Sequence, residues 1–79
     1  MTHTPHEIAE EFPDDHETIH ALKMSNSHFG KLADQYHEVN RKIHRIETEI
    51  EPSSDLALEN FKKKRLALKD EISLMIKNT

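Results

Sequence analysis

A heptad stripe dominates this chain: Phe29, Leu32, Tyr36, Val39, Ile43, Ile46 and Ile50 recur at spacings that alternate between three and four. That period gives a helix one apolar seam, which needs a second helix to cover it. Pro52-Ser53-Ser54 interrupts the pattern, and a second stripe follows through Leu58, Phe61, Leu68, Ile72 and Met75. Two seams joined by a short turn predict an all-α fold, an antiparallel two-helix hairpin of coiled-coil type. The long helices are expected to span about 27–51 and 54–77, the first ended by Glu51-Pro52 because the residue before proline leaves the α region. Ser53, Ser54 and Asp55 each qualify as N-cap of the second. This register sets Ile46 against Leu58 or Phe61, and Val39 against Arg65 or Leu68.

One seam position is charged. Arg65 falls where an apolar residue is expected, so its stem should lie along the seam while its head reaches out to a carboxylate such as Glu47. The sharper reading is a register device, because a polar group at such a position fixes pairing. Leu66, Leu74 and Ile76 fall outside the strict seam of the second helix and are the apolar candidates for an interaction surface.

The segment before the hairpin reads differently. Residues 1–20 carry Glu7, Glu10, Glu11, Asp14, Asp15 and Glu17 but no Lys or Arg. The net charge of −4 therefore belongs to this arm, and residues 27–79 are close to neutral. Thr4-Pro5-His6-Glu7 combines an N-cap, a proline at the first helical position and an acid at the third, and predicts a short helix stopped by Pro13. Asp14 with Glu17 starts a second, over roughly 15–24, with Ile19 and Leu22 on one side. Ser25-Asn26-Ser27 breaks it and offers caps for the long helix. The chain thus divides into an acidic arm with short helices, 1–26, and a hairpin, 27–79. Helices this short are marginal without packing, so residues 1–13 are expected to be mobile or loosely docked and 15–24 to rest on the hairpin.

Size sharpens the question of partners. Seventy-nine residues make at most one small domain, and such domains usually need disulfides, a metal or a partner to supplement the core. There is no cysteine, which removes disulfides and thiolate sites and agrees with a reducing compartment. No apolar run is long enough to span a membrane, and the N-terminus has neither the basic start nor the apolar core of a signal peptide. A cytoplasmic protein is expected.

Candidate chemistry is sparse. Seven histidines invite a metal reading, and His16 and His20, four apart, share a helix face. Two ligands are half a site, so solvated histidines are the expectation, with no metal and no cofactor. Lys62-Lys63-Lys64-Arg65 is a compact basic run, but consecutive helical residues point in different directions. Glu59, Asp70 and Glu71 lie within helical reach of these lysines. The serines sit in caps, turns or helix surface, no phosphate-binding glycine loop or zinc-protease helix motif occurs, and a two-helix layer offers no closed pocket. An enzyme with a small-molecule substrate is not expected.

His28-Phe29, Leu32, Tyr36-His37, Asn40, Ile43 and Glu47, followed by Lys63 and the run Leu66-Ala67-Leu68-Lys69-Asp70-Glu71-Ile72, resemble the YdcH-like family. These are short bacterial proteins grouped as a domain of unknown function, and the likeness covers roughly residues 19–77. The resemblance implies a helical hairpin from a bacterial cytoplasm, with no reaction and no catalytic residues attached. Function then rests on the residues. The leading expectation is a non-enzymatic helical module that self-associates or docks a partner helix along its open seam, with Leu66, Leu74 and Ile76 as further apolar candidates off that seam. The alternative is a nucleic-acid-associated accessory protein using Lys62, Lys63 and Lys64, although an acidic chain is poorly suited to that role.

Overall fold

The computed structural model describes residues 4–79. Four helices follow in order, α1 (Ile8–Glu11), α2 (His16–Ser25), α3 (Ser27–Glu47) and α4 (Asp55–Lys77), and no strand occurs among the described residues. Cross-helix pairs run in opposite senses: Glu47 meets Lys62, Asn40 meets Arg65 and His28 meets Glu71. Helices α3 and α4 are therefore antiparallel. The Arg65–Asn40 level agrees with the expected register, as does Leu58 beside Ile46 at the turn.

Both long helices begin on a side-chain cap. Asn26 Oδ1 accepts the Phe29 N–H at 3.1 Å, and Ser54 Oγ accepts the Ala57 N–H at 3.1 Å. Of the three candidate caps for α4, Ser54 is the one used.

The end of α3 departs from the sequence expectation. The helix stops at Glu47, because Glu49 adopts a left-handed conformation (φ 64°). The Glu49 N–H then bonds to the Ile46 carbonyl and the Ile50 N–H to the Arg45 carbonyl, both at 3.0 Å. This pair of bonds closes a helix C-terminus without proline. Ile50 is consequently carried out of the seam and is exposed, whereas the heptad count placed it inside.

The far end of α4 departs in the opposite direction. Ile76 is buried and Met75 only half-buried, so Ile76 belongs to the core and is withdrawn from the interaction candidates. The buried residues Leu68, Ile72 and Ile76 are each four apart. A straight helix drifts about 20° per heptad from a strict 3.5 repeat, which moves the apolar edge from Met75 towards Ile76.

The core runs through Phe29, Leu32, Tyr36, Val39 and Ile43 of α3 and those three residues of α4, and it extends into Ile8, Ile19 and Leu22. The second short helix docks as expected. The segment from Thr4 to Pro13 does not fit the expectation of a loose arm, while residues 1–3 lie outside the described residues. Its helix begins only at Ile8 with Glu7 as cap, because Pro5 and His6 form a turn in which His6 has a φ of 63°. That turn presents two carbonyls to α3. Tyr36 Oη donates to the His6 carbonyl at 2.6 Å, and Asn40 Nδ2 donates to the Pro5 carbonyl at 2.8 Å.

Candidate interaction surfaces

Asn40 is the one buried polar residue among those described, at 1% exposure, and every polar atom of its side chain is used. Its amide nitrogen holds the arm, and its Oδ1 accepts from Arg65 Nη1 at 2.9 Å. Arg65 therefore bonds a neutral amide, not the Glu47 carboxylate anticipated from the sequence. Lys62 takes Glu47 instead, with Nζ 3.0 Å away. Beside Asn40, burial pushes the Tyr36 phenol up to about 12; the nearby Glu11 adds to the rise and Arg65 opposes it. His37 Nδ1 lies 3.1 Å from Glu7 Oε2, a further tie between α3 and the arm.

The basic run is dispersed. Lys62 pairs across to α3, and Lys63 lies 3.6 Å from Glu59 on its own helix. Lys64 alone of the run lines a groove of about 450 Å³, together with Glu38, Arg41, Lys42 and Arg45 of α3 and the apolar Val39 and Phe61. Lys42 and Arg45 both reach Glu51 of the turn, and Lys42 also lies over the Phe61 ring, 5.9 Å from its centre. Arg41 and Lys64 have no ion-pair partner among the described residues. The sequence signal for this groove was faint, since its cations come from two helices and only one of them belongs to the run.

The histidines do not assemble. His16 Nε2 is bonded to the Ala9 carbonyl at 2.8 Å, so the His16–His20 face is partly committed to holding the arm. Among the described residues, no three His, Asp or Glu side chains come together in a way that could hold a metal ion.

The outer face of α4 remains. Leu66 and Leu74, singled out by the sequence, are 59% and 60% exposed, and Leu56, overlooked there, is 67% exposed. Leu56 and Leu74 are five full helical turns apart, at 3.6 residues per turn, and so share one face; that spacing was the signal available. The two other exposed large apolar residues, Met24 and Ile50, belong to α2 and to the turn between α3 and α4.

The molecule measures 39 × 27 × 19 Å, and its shortest dimension is about two helix diameters. No helix among the described residues is long and apolar enough to cross a membrane. What it offers is surface: an open groove, a latched arm and an outer helix face. This is a small all-helical domain built on one long hairpin. The family described as "Protein of unknown function (DUF465)" matches residues 29–76, and the chain belongs to that YdcH-like family. The match begins and ends on seam residues of the hairpin and leaves the arm outside. No curated protein and no solved structure matches the chain.

Proposed function

We propose that this chain is a non-enzymatic helical protein–protein interaction module and that the outer face of α4 is its docking surface. One observation carries the reading: the three exposed leucines of the described residues, Leu56, Leu66 and Leu74, all lie on α4, although that helix already has a filled seam against α3. The three are spaced about 12–15 Å apart along the helix, so what supports the reading is their confinement to one element, not a contiguous apolar patch. A bacterial cytoplasmic setting belongs to the same reading, on the family resemblance and the absence of cysteine.

A second reading has its own observation. The groove lined by Arg41, Lys42, Arg45 and Lys64 carries four cations against the one carboxylate of Glu38, with Lys42 and Arg45 paired to Glu51. An accessory role on nucleic acid would use Arg41 and Lys64 in place of Lys62 and Lys63. Salt separates the two. Binding through the groove should weaken steeply as salt rises, whereas docking on the leucines should not. The test is affinity capture from a native lysate at two salt concentrations, with Leu74→Glu and Arg41→Glu variants alongside. Salt-resistant capture lost in Leu74→Glu supports the module; salt-sensitive capture lost only in Arg41→Glu transfers the assignment to the groove.

A further inference from the structure

The outer face of α4 has an order that exposure alone does not describe. Following the face that carries Leu56 and Leu74, the helix presents Leu56, Asn60, Lys63, Ala67, Asp70 and Leu74, at spacings of four, three, four, three and four. Any one face of a helix follows that spacing. What marks this face, opposite the seam closed on α3, is that the exposed Leu56 and Leu74 stand at its two ends with charged, polar and small residues between them. Its contents are symmetric about the level of Arg65. In an antiparallel copy of the same helix, Leu56 meets Leu74, Asn60 meets Asp70 and the long Lys63 lies over the small Ala67. Each pairing occurs twice, as a two-fold axis requires.

We propose that a second copy of this chain occupies this face, with α4 packed antiparallel on α4 about a two-fold axis near Arg65. The proposal rests on the interaction reading above and names its partner. Charge supports a copy over an unrelated helix. Asp70 has no partner among the described residues, and the Lys63 of an antiparallel neighbour lies within one turn of it. The ion pair of Lys63 with Glu59 within its own helix is of the exposed, solvent-screened i,i+4 kind and does not commit the lysine. Leu66 sits on the flank of the stripe close to the axis, where it faces its own counterpart. A parallel arrangement would instead set Lys63 against Lys63 and Asp70 against Asp70. The apolar content is small, so the dimer is of the weak, transient class.

The test measures molecular mass in solution from micromolar to millimolar protein. The expected result is a monomer that becomes a dimer as concentration rises. Leu74→Glu should raise the dissociation constant at least about tenfold. Lys63→Glu and Asp70→Lys should each weaken the dimer, and the variant carrying both should recover it, because the exchanged charges meet again. All three positions are exposed, so helical content serves as the control for folding. Orientation is read from a spin label on Lys77→Cys, the only thiol in that variant. Antiparallel packing places two such labels on the order of 36 Å apart along the axis, from 1.5 Å per residue over twelve residues on each side. Labels close together, or a double charge variant weaker than either single one, overturn the arrangement. A chain monomeric at millimolar concentration overturns the second copy itself. In that case loss of lysate capture in Leu74→Glu would still uphold the interaction reading, and unchanged capture would remove both.

Discussion

At the scale of single residues, the most consequential side chain is Arg65, because its position suggests one behaviour and its contacts another. A charge in an apolar seam is often better replaced by a hydrophobic residue. Here the guanidinium satisfies Asn40 Oδ1, which is buried and has no other donor among its described contacts. Arg65→Leu should therefore lower unfolding stability by about 1–2 kcal/mol in a denaturant titration, the cost of leaving one buried acceptor without its bond. Arg65→Gln, which keeps a donor, should lose less. Tyr36 adds a pH dependence. Its folded pKa of about 12 stands above the ordinary value of 10.0, so the native state holds the phenolic proton more tightly than the unfolded chain does. The stabilisation is fully present below pH 10 and is lost as pH rises through about 12, on the order of 3 kcal/mol in all. Phenolate absorbance reads this directly, since the chain has only one tyrosine. Tyr36→Phe should flatten that alkaline limb.

At the scale of the elements, the two ends of α3 make opposite demands on its backbone. Gly30 lies in the first turn with helical φ, and a Cβ added there meets nothing within 4 Å. Gly30→Ala should accordingly raise stability by about 0.5–1 kcal/mol, through lower unfolded-chain entropy and better helix propensity. Glu49 holds the left-handed position that closes the helix, a conformation costing a non-glycine residue roughly 1–2 kcal/mol. Glu49→Gly should raise stability by a similar amount, while Gly30→Pro or Glu49→Val would act in the other direction. Thermal unfolding of the two favourable variants, singly and together, checks both, and their separation along α3 predicts additivity. These two sites also show where the sequence was legible. The heptad period identified both long helices and their register, because the apolar face is what the fold must bury. It could not see that α3 closes at Glu47, since that stop is made by backbone hydrogen bonds around a glutamate, with no glycine to announce it. Nor could a strict 3.5 repeat distinguish Ile76 from Met75 at the end of α4.

At the scale of the whole molecule, the arm is the part that local reasoning misjudged. Four helical residues cannot hold themselves together, and that argument is sound for the arm in isolation. It omitted what α3 supplies, a tyrosine and an asparagine four apart on an otherwise apolar face, both donating to carbonyls of the Pro5-His6 turn. The i,i+4 spacing of Tyr36 and Asn40 was visible, but nothing in the arm's own sequence says that its backbone is the acceptor. Candidate surface residues fared similarly: Leu66 and Leu74 could be read from their place off the seam, whereas the Arg41–Lys64 groove exists only once two helices meet. Ile8 then decides whether the arm belongs to the core. Its side chain is buried with Ile19 and Leu22, and α1 covers the region where the phenol of Tyr36 ends. Ile8→Ala should cost about 2 kcal/mol in unfolding, the lower end for truncating a buried isoleucine, because a surface segment can partly collapse onto the gap. The same variant should bring the Tyr36 pKa down towards 10, as water reaches the phenol and Glu11 moves away from it. Amide exchange at Phe12, whose N–H is bonded to the Ile8 carbonyl at 3.0 Å, should accelerate in parallel. A Tyr36 titration that stays near 12 in Ile8→Ala would mean that the phenol is covered without the Ile8 side chain, by the hairpin and the latched Pro5-His6 turn.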